Sequence, residues 1–214
     1  MKIWPLFDLR IYTPRLELRL PTDDLCFALA EVAAAGVHPP DFMPFRIPWT
    51  DAPSPQLERS CLQFWWRNRV EWTPENWSAN FVVLHNGQPI GSQGILANQF
   101  AVRRAFESGS WLGQTFQGQG FGKEMRAAVL QFGFDGLNAE WAFSGADLNN
   151  GASNGVSAWI GYESDGHALD VVRGAPRWTL RYRLSREAWQ RRFPELDTPV
   201  TIEGLEACRD WFGA

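Results

Sequence analysis

Lysine is nearly absent from this 214-residue chain: of 20 cationic side chains only Lys2 and Lys123 are lysine, and the rest are arginine. Against 24 Asp and Glu the net charge is −4. That excludes a broad basic face for nonspecific nucleic-acid binding. Cysteine is scarce as well. Cys26, Cys61 and Cys208 are odd in number and far apart, with no CxxC pair, which argues against a disulfide framework or a zinc knuckle and fits a reducing, cytoplasmic setting. His38, His85 and His167 are scattered without metal-ligand spacing, so no metal is expected. No apolar run approaches the roughly 18 residues of a membrane span. Met1-Lys2-Ile3-Trp4-Pro5 carries neither the apolar stretch nor the small-residue cleavage site of a signal peptide. Neither a membrane nor a nucleic-acid partner is expected.

What the chain has in excess is tryptophan, 12 residues in 214, beside arginines able to stack on those rings or fork onto carboxylates and phosphates. The length suits one domain with a core large enough to need no staple.

The hydrophobic pattern reads as an α/β (α+β) domain with a mixed, mostly antiparallel sheet flanked by helices. Leu16-Glu17-Leu18-Arg19-Leu20 alternates as a strand. A helix follows from Thr22-Asp23, with Leu25, Leu29 and Val32 on one face, stopped near Gly36. From His38 to Pro55 six prolines interrupt the chain among Phe42, Met43, Phe45 and Trp49. Such long irregular loops are often functional. Ser54-Pro55 reads as the N-cap and first residue of a helix to Val70, with Leu57, Cys61, Phe64, Trp65 and Asn68 on its face. Phe81–His85, the Asn86-Gly87 turn and a return strand from Gln88 form a hairpin. Further strands are expected at Glu107–Gly113, Trp141–Asp147 and Trp178–Leu184. Helices are expected from the Gly-rich turn to Phe134, over Asn150–Ile160, and after Ser185. The tail from Pro199 adds a short β-like run and a last helical turn.

The chemistry concentrates between Glu107 and Gly136. Gln117-Gly118-Gln119-Gly120-Phe121-Gly122 joins the end of a strand to the start of a helix. Consecutive backbone N–H groups there make a nest for an anion, the helix dipole adds positive potential, and glycine keeps Cβ atoms out of the way. A phosphate or pyrophosphate is the natural ligand. The spacing is G-x-G-x-G, not the G-x-G-x-x-G of dinucleotide folds, and Gly122-Lys123-Glu124 lacks the hydroxyl of a Walker loop. The hexapeptide does match Gln/Arg-x-x-Gly-x-Gly/Ala, the coenzyme A loop of the GNAT acyltransferases.

Three blocks carry that resemblance in order. Gly109-Ser110-Trp111-Leu112-Gly113 followed by the Gly loop resembles the "GYWL…QGQG" segment of the Rim-type branch, which acetylates ribosomal-protein N-termini. Asn150-Gly151-Ala152-Ser153-Asn154-Gly155-Val156 with Gly161-Tyr162 resembles its "N-x-A-S-x-x-V…G-F/Y" signature. Thr13-Pro14-Arg15-Leu16-Glu17-Leu18-Arg19 resembles its first strand. Trp4–Arg10 and Met125–Leu130 are similar to a mycobacterial succinyltransferase-like member.

The resemblance implies a GNAT fold over residues 1–214: residues 1–78 on the acceptor side, 79–185 as the coenzyme A core and 186–214 as a C-terminal helical tail. Two neighbouring parallel strands, Glu107–Gly113 and Trp141–Asp147, would splay to admit the pantetheine. Backbone groups near Leu112 would pair with it, and the amides of Gln117, Gly118, Gln119, Gly120, Phe121 and Gly122 would hold the pyrophosphate. Asn150 would contact the pantetheine region, Ser153 would protonate the leaving thiolate and Glu107 would take the amine's proton. Asp147 and His85 stand as alternative bases. The acyl donor is implied to be acetyl-CoA or succinyl-CoA, with no metal. The acceptor would be an amine on a protein N-terminus, a lysine or a small molecule. Its pocket is placed in the His38–Pro55 loop and the following helix, with Phe42, Phe45, Trp49, Trp65 and Trp72 as walls and Arg46 and Arg67 as carboxylate holders. Trp111 belongs to the coenzyme strand motif, and Trp141, Trp159 and Trp178, in the sheet and its flanking helix, are assigned to the core. Two other readings stay open: a coenzyme-binding module that does not transfer, and an interaction protein whose aromatic surface docks a partner or a second copy as a homodimer or larger homo-oligomer.

Overall fold

A computed structural model describes residues 3–214; Met1 and Lys2 lie outside the described residues. In chain order the elements are β1 (Arg10–Tyr12), β2 (Leu16–Arg19), α1 (Asp23–Ala34), α2 (Gln56–Val70), β3 (Asn76–His85), β4 (Gln88–Asn98), α3 (Phe100–Arg103), β5 (Ala105–Leu112), α4 (Phe121–Gln131), β6 (Trp141–Asp147), α5 (Gly151–Ile160), β7 (Glu163–Val172), β8 (Ala175–Ser185), α6 (Arg186–Arg192) and β9 (Thr201–Glu203). The strands form one nine-stranded sheet in the order β7-β8-β6-β5-β4-β3-β2-β1-β9. Among the described residues β5 and β6 are its parallel pair; the other neighbours run antiparallel.

Two hairpins carry the same turn chemistry. Asn86 and Gly87 have φ of 50° and 77°, the double positive φ that Asn-Gly supplies between antiparallel strands. Arg173 and Gly174 repeat it at 50° and 74° between β7 and β8. The sequence pattern did not single out β7. Its one sequence signal was the Arg173-Gly174 step ahead of β8.

The helices divide the sheet's faces. On one side α4 packs against Phe81, Val83, Ile95 and Phe106 in the main core. Every residue of α4 from Glu124 to Leu130 is buried, as befits a helix covered all round. On the other side α1 and α2 form a second cluster with Val82 and Leu84 of β3. The face that α1 buries is Cys26, Leu29, Ala30 and Ala33; Leu25 and Val32 are its half-buried flanks. In α2, Leu57, Cys61 and Trp65 are buried, whereas Phe64 is 48% exposed. Helix α2 starts one residue later than expected. Pro55 stands outside it, and the Ser54 hydroxyl bonds the Glu58 carboxylate, so it does not cap a backbone N–H. The tail carries the expected β-like run as β9, paired with β1 at the sheet edge, and a helical turn at Arg209–Phe212.

Because α1 and α2 cover the second face only near β3 and β4, the stretch of that face over β4, β5, β6 and β8 stays open.

Candidate functional site

The parallel pair is the starting point. β5 and β6 are in register from Ala105–Trp141 to Ser108–Ser144, and there their pairing stops. Beyond it, Gly109–Leu112 continue to pair with β4 alone, and Gly145–Asp147 with β8 alone. The two strands therefore diverge, leaving a wedge between them. Gly91 on β4 permits the tight approach of the β5 end: a Cβ there would stand 2.3 Å from the Trp111 carbonyl oxygen and 2.8 Å from Leu112 Cα.

β5 delivers the chain into the Gly loop at the wedge's open end. Gly118 and Gly120 have φ of 75° and 83°, a conformation costly for any side-chain-bearing residue. The loop is pinned by the Gln117 side chain, whose amide donates to Val37 O at 2.7 Å and Leu112 O at 2.8 Å. The Gln117 backbone N–H is itself taken by Gln114 O. Gln117 thus supports the loop and has no free amide to offer, and the Leu112 carbonyl is occupied by it. Among the described residues the N–H groups of residues 118–122 have no partner. They lie at the N-terminus of α4, where the helix dipole favours an anion.

On the other flank of the wedge, β6 runs into α5. Asn150 caps α5, its Oδ1 accepting from Ser153 N at 3.1 Å. Ser153 is half-buried. Asp147 is 8% exposed and held by Arg177 through Nε at 2.9 Å and Nη2 at 2.8 Å. His85 leans on Phe121, ring centroids 4.7 Å apart, and faces Arg15 O at 3.0 Å, so it braces the Gly loop. Glu107 is exposed and, among the described residues, unpartnered.

Glu107 opens into the uncovered face described above, a cleft of about 540 Å³. The cleft is floored by β4, β5, β6 and β8, rimmed by Asp165 and Asp170 of β7, and closed by Arg103 and Arg46. It reaches Ser144 and Tyr182, whose hydroxyls bond groups on the helical side, Arg126 at 3.0 Å and Asn154 at 3.0 Å. The cleft is lined by Phe143, Ser144 and Gly145 of β6, where the β5–β6 pairing ends, and none of the Gly loop's residues lines it.

A family profile for the acetyltransferase (GNAT) domain matches residues 15–163. The chain belongs to the GNAT acetyltransferase family. Solved structures share its fold at low identity. Mycobacterium smegmatis RimJ in complex with a coenzyme A disulfide is 18% identical with a TM-score of 0.68, covering 91% of this chain and 97% of that one. RimL, a ribosomal L7/L12 α-N-protein acetyltransferase in complex with coenzyme A, is 16% identical at 0.65, covering 82% and 96%. A Salmonella typhimurium acetyl transferase that modifies the N-terminal serine of 50S protein L7/L12 is 15% identical at 0.65, covering 80% and 95%.

In this GNAT chain the tryptophans do not form one wall. Trp49 does approach the site, through a run of rings from His38 and Phe45 to Trp111 on β5, each pair 5.2–5.8 Å apart. Trp65 is buried in the α1–α2 cluster. Trp4, Trp72 and Trp77 pack with Trp211 and Phe212 in the main core, far along the sheet toward its β1 end. Trp141 and Trp178, assigned to the core by pattern, are 40% and 52% exposed. Of the loop's residues Arg46 reaches the cleft lining, while Arg67 is exposed on α2. The loop is tied down by the β7–β8 hairpin: Arg173 Nε donates to Asp51 at 2.8 Å, which holds the Asp51 carboxyl below its usual range.

Sequence reasoning missed the polar cluster beneath the wedge. Arg126 of α4 is 3% exposed. Its guanidinium donates to Ser144 Oγ at 3.0 Å and Ser110 Oγ at 3.4 Å, and its Nε has no partner. Tyr162 lies on Ser108, 3.4 Å between hydroxyls. Burial pushes the phenols of Tyr162 and Tyr182 above their usual range, so both are protonated at neutral pH. The one sequence signal was an arginine where α4's apolar face should continue. Among the described residues no cluster of His, Cys, Asp and Glu forms a metal site, and no helix is long and apolar enough to cross a membrane.

Proposed function

We propose that this GNAT chain moves an acyl group from acyl-coenzyme A to an amine by direct attack on the thioester. One observation carries the reading: the β5–β6 pairing ends at Ser108–Ser144, at the same end where residues 118–122 offer unpartnered amides. The pantetheine arm enters the wedge and the pyrophosphate sits on the loop. The amides of Gly118, Gln119, Gly120, Phe121 and Gly122 hold it, with Gln117 as the pin beneath. The amine arrives through the charged cleft on the opposite face. Glu107 takes its proton, the nitrogen attacks the carbonyl carbon, and the C–N bond forms as the C–S bond breaks. The Ser153 hydroxyl, held at the wedge by the Asn150-capped turn of α5, protonates the departing thiolate and recovers its proton from the nitrogen that has become the amide. Backbone donors aimed at the developing oxyanion contribute about 3 kcal/mol in comparable acyl transfers. Direct attack fits the thiols: all three cysteines are buried and burial raises each to about 11, far from the low values of a nucleophilic cysteine.

The named acceptors of the Rim-type neighbours favour a protein N-terminal amine. For the acyl group, acetyl follows from the family. Arg126 favours a second donor. A buried guanidinium surrounded by hydroxyls, with no carboxylate, is an unpaired charge that an acid-terminated acyl chain such as succinyl would neutralise.

Calorimetry with acetyl-CoA and succinyl-CoA tests the coenzyme site; absence of binding at millimolar ligand removes the proposal. A free-thiol release assay with an amine panel then separates an enzyme from a module that binds without transferring.

A further inference from the structure

The opening motif Thr13-Pro14-Arg15 is joined to the Gly loop by a network that the reaction scheme above does not use. Glu124 lies in the first turn of α4 and is 7% exposed. One of its carboxylate oxygens accepts from Thr13 Oγ1 at 2.6 Å and Arg15 N at 3.0 Å; the other accepts from Arg15 Nε at 2.7 Å and pairs with Nη2 at 2.6 Å. The remaining guanidinium nitrogen, Nη1, donates to Gln119 O at 3.0 Å. The guanidinium plane lies over Phe121, 4.5 Å from the ring centroid. A Cβ on Gly120 would stand 3.3 Å from Arg15 Nη2.

Two physical consequences follow. A carboxylate in the first turn of a helix is favourable to the helix, but it has the wrong sign beside an anion bound at that same N-terminus. The forked guanidinium cancels it in place, which a lysine ammonium does poorly. Second, the Gln119 carbonyl and the Gly120 N–H belong to one planar trans peptide and point in opposite directions. By holding the carbonyl, Arg15 aims the Gly120 N–H away from itself, toward the ligand side of the loop.

We propose that Arg15 is a positioning residue for the coenzyme diphosphate: it screens Glu124 and fixes the direction of the loop amides. The inference rests on the reading of the loop as the diphosphate site.

The experiment compares wild type, Arg15→Gln, Glu124→Gln and the double variant, with coenzyme A calorimetry and with turnover of acetyl-CoA against S-acetylpantetheine, which has the same thioester arm and no diphosphate. For Arg15→Gln the expected loss of coenzyme A affinity is on the order of tenfold, and the loss in kcat/KM is larger for acetyl-CoA than for S-acetylpantetheine by the same order, through KM more than kcat. The double variant should regain affinity over Arg15→Gln, because the orphaned carboxylate is gone. Arg15→Lys, which keeps the charge without the fork, should fall between and covers the case in which Arg15→Gln does not fold. Equal losses with both donors, or a double variant no better than the single one, overturn the proposal. Wild type that fails to bind coenzyme A overturns instead the diphosphate reading beneath it.

Discussion

The Gly loop and the cleft opposite it, the two parts of the proposed site, are built in different ways. The loop is six consecutive residues whose working groups are backbone amides. Its conformation is set by Gly118 and Gly120 at positive φ and by the strand and helix on either side. The cleft is made of side chains from β4, β5, β6, β7 and β8 with Arg103 and Arg46. No short stretch of sequence contains it. The lesson is that backbone-borne chemistry is local and written in order along the chain, whereas side-chain-borne chemistry is assembled by the sheet. The loop should therefore tolerate no bulk, and the cleft should tolerate trimming of lining side chains other than Glu107.

The largest effect is expected at the loop. Gly120→Trp forces a side chain onto φ of 83° and blocks the amides. Strain plus lost charge-assisted bonds should weaken coenzyme A more than about 100-fold, measurable by calorimetry. A variant that binds as wild type does would show that the loop amides do not hold the coenzyme. Next is Glu107→Gln on the cleft side. As the group that takes the amine's proton it should lower kcat about 100-fold with coenzyme A affinity unchanged. A kcat within a few-fold of wild type would pass the role to another group. Arg126→Met, between the halves, should lower kcat/KM for succinyl-CoA about tenfold while acetyl-CoA is little affected. Its melting temperature should hold or rise, because an unpaired buried charge is replaced by an apolar chain of similar length. The smallest effect concerns the thiols, which lie in neither region. Only thiolate reacts with a disulfide reagent, and thiols raised to about 11 are almost wholly protonated at pH 8. Ellman titration at that pH should be slow in the native chain and fast in denaturant. The same shift has a stability sign. The folded chain holds these protons and the unfolded chain releases them near 9, so the thiols' contribution is full below pH 9 and fades as the pH rises toward 11.

The elements themselves were readable to different depths. Strand β6 and the Asn150 and Ser185 caps lie where local pattern put them, because capping and alternation act over three or four residues. Strand β7 was not readable. Its burial pattern is mostly exposed, so it lacks the apolar alternation that marks a strand, and it exists through pairing with β8. The tryptophans failed for a related reason: a ring's sequence neighbours do not say which face of which strand it occupies. Trp178 alternates with its neighbours as a core residue would, yet β8 turns it outward beside Leu169.

Legible from the chain alone were the family, the order of strand, loop and helix around the proposed coenzyme loop, and the glycines whose positive φ the loop requires. Those properties depend on residues adjacent in the chain. It took the packed sheet to bring Arg15 to Glu124 across 109 positions, Asp147 to Arg177, the Gln117 side chain beneath the loop, and Arg126 beneath the wedge with hydroxyl partners and, among the described residues, no carboxylate. A buried charge or a free carboxylate is defined by what surrounds it, and that depends on which distant strands the sheet makes neighbours.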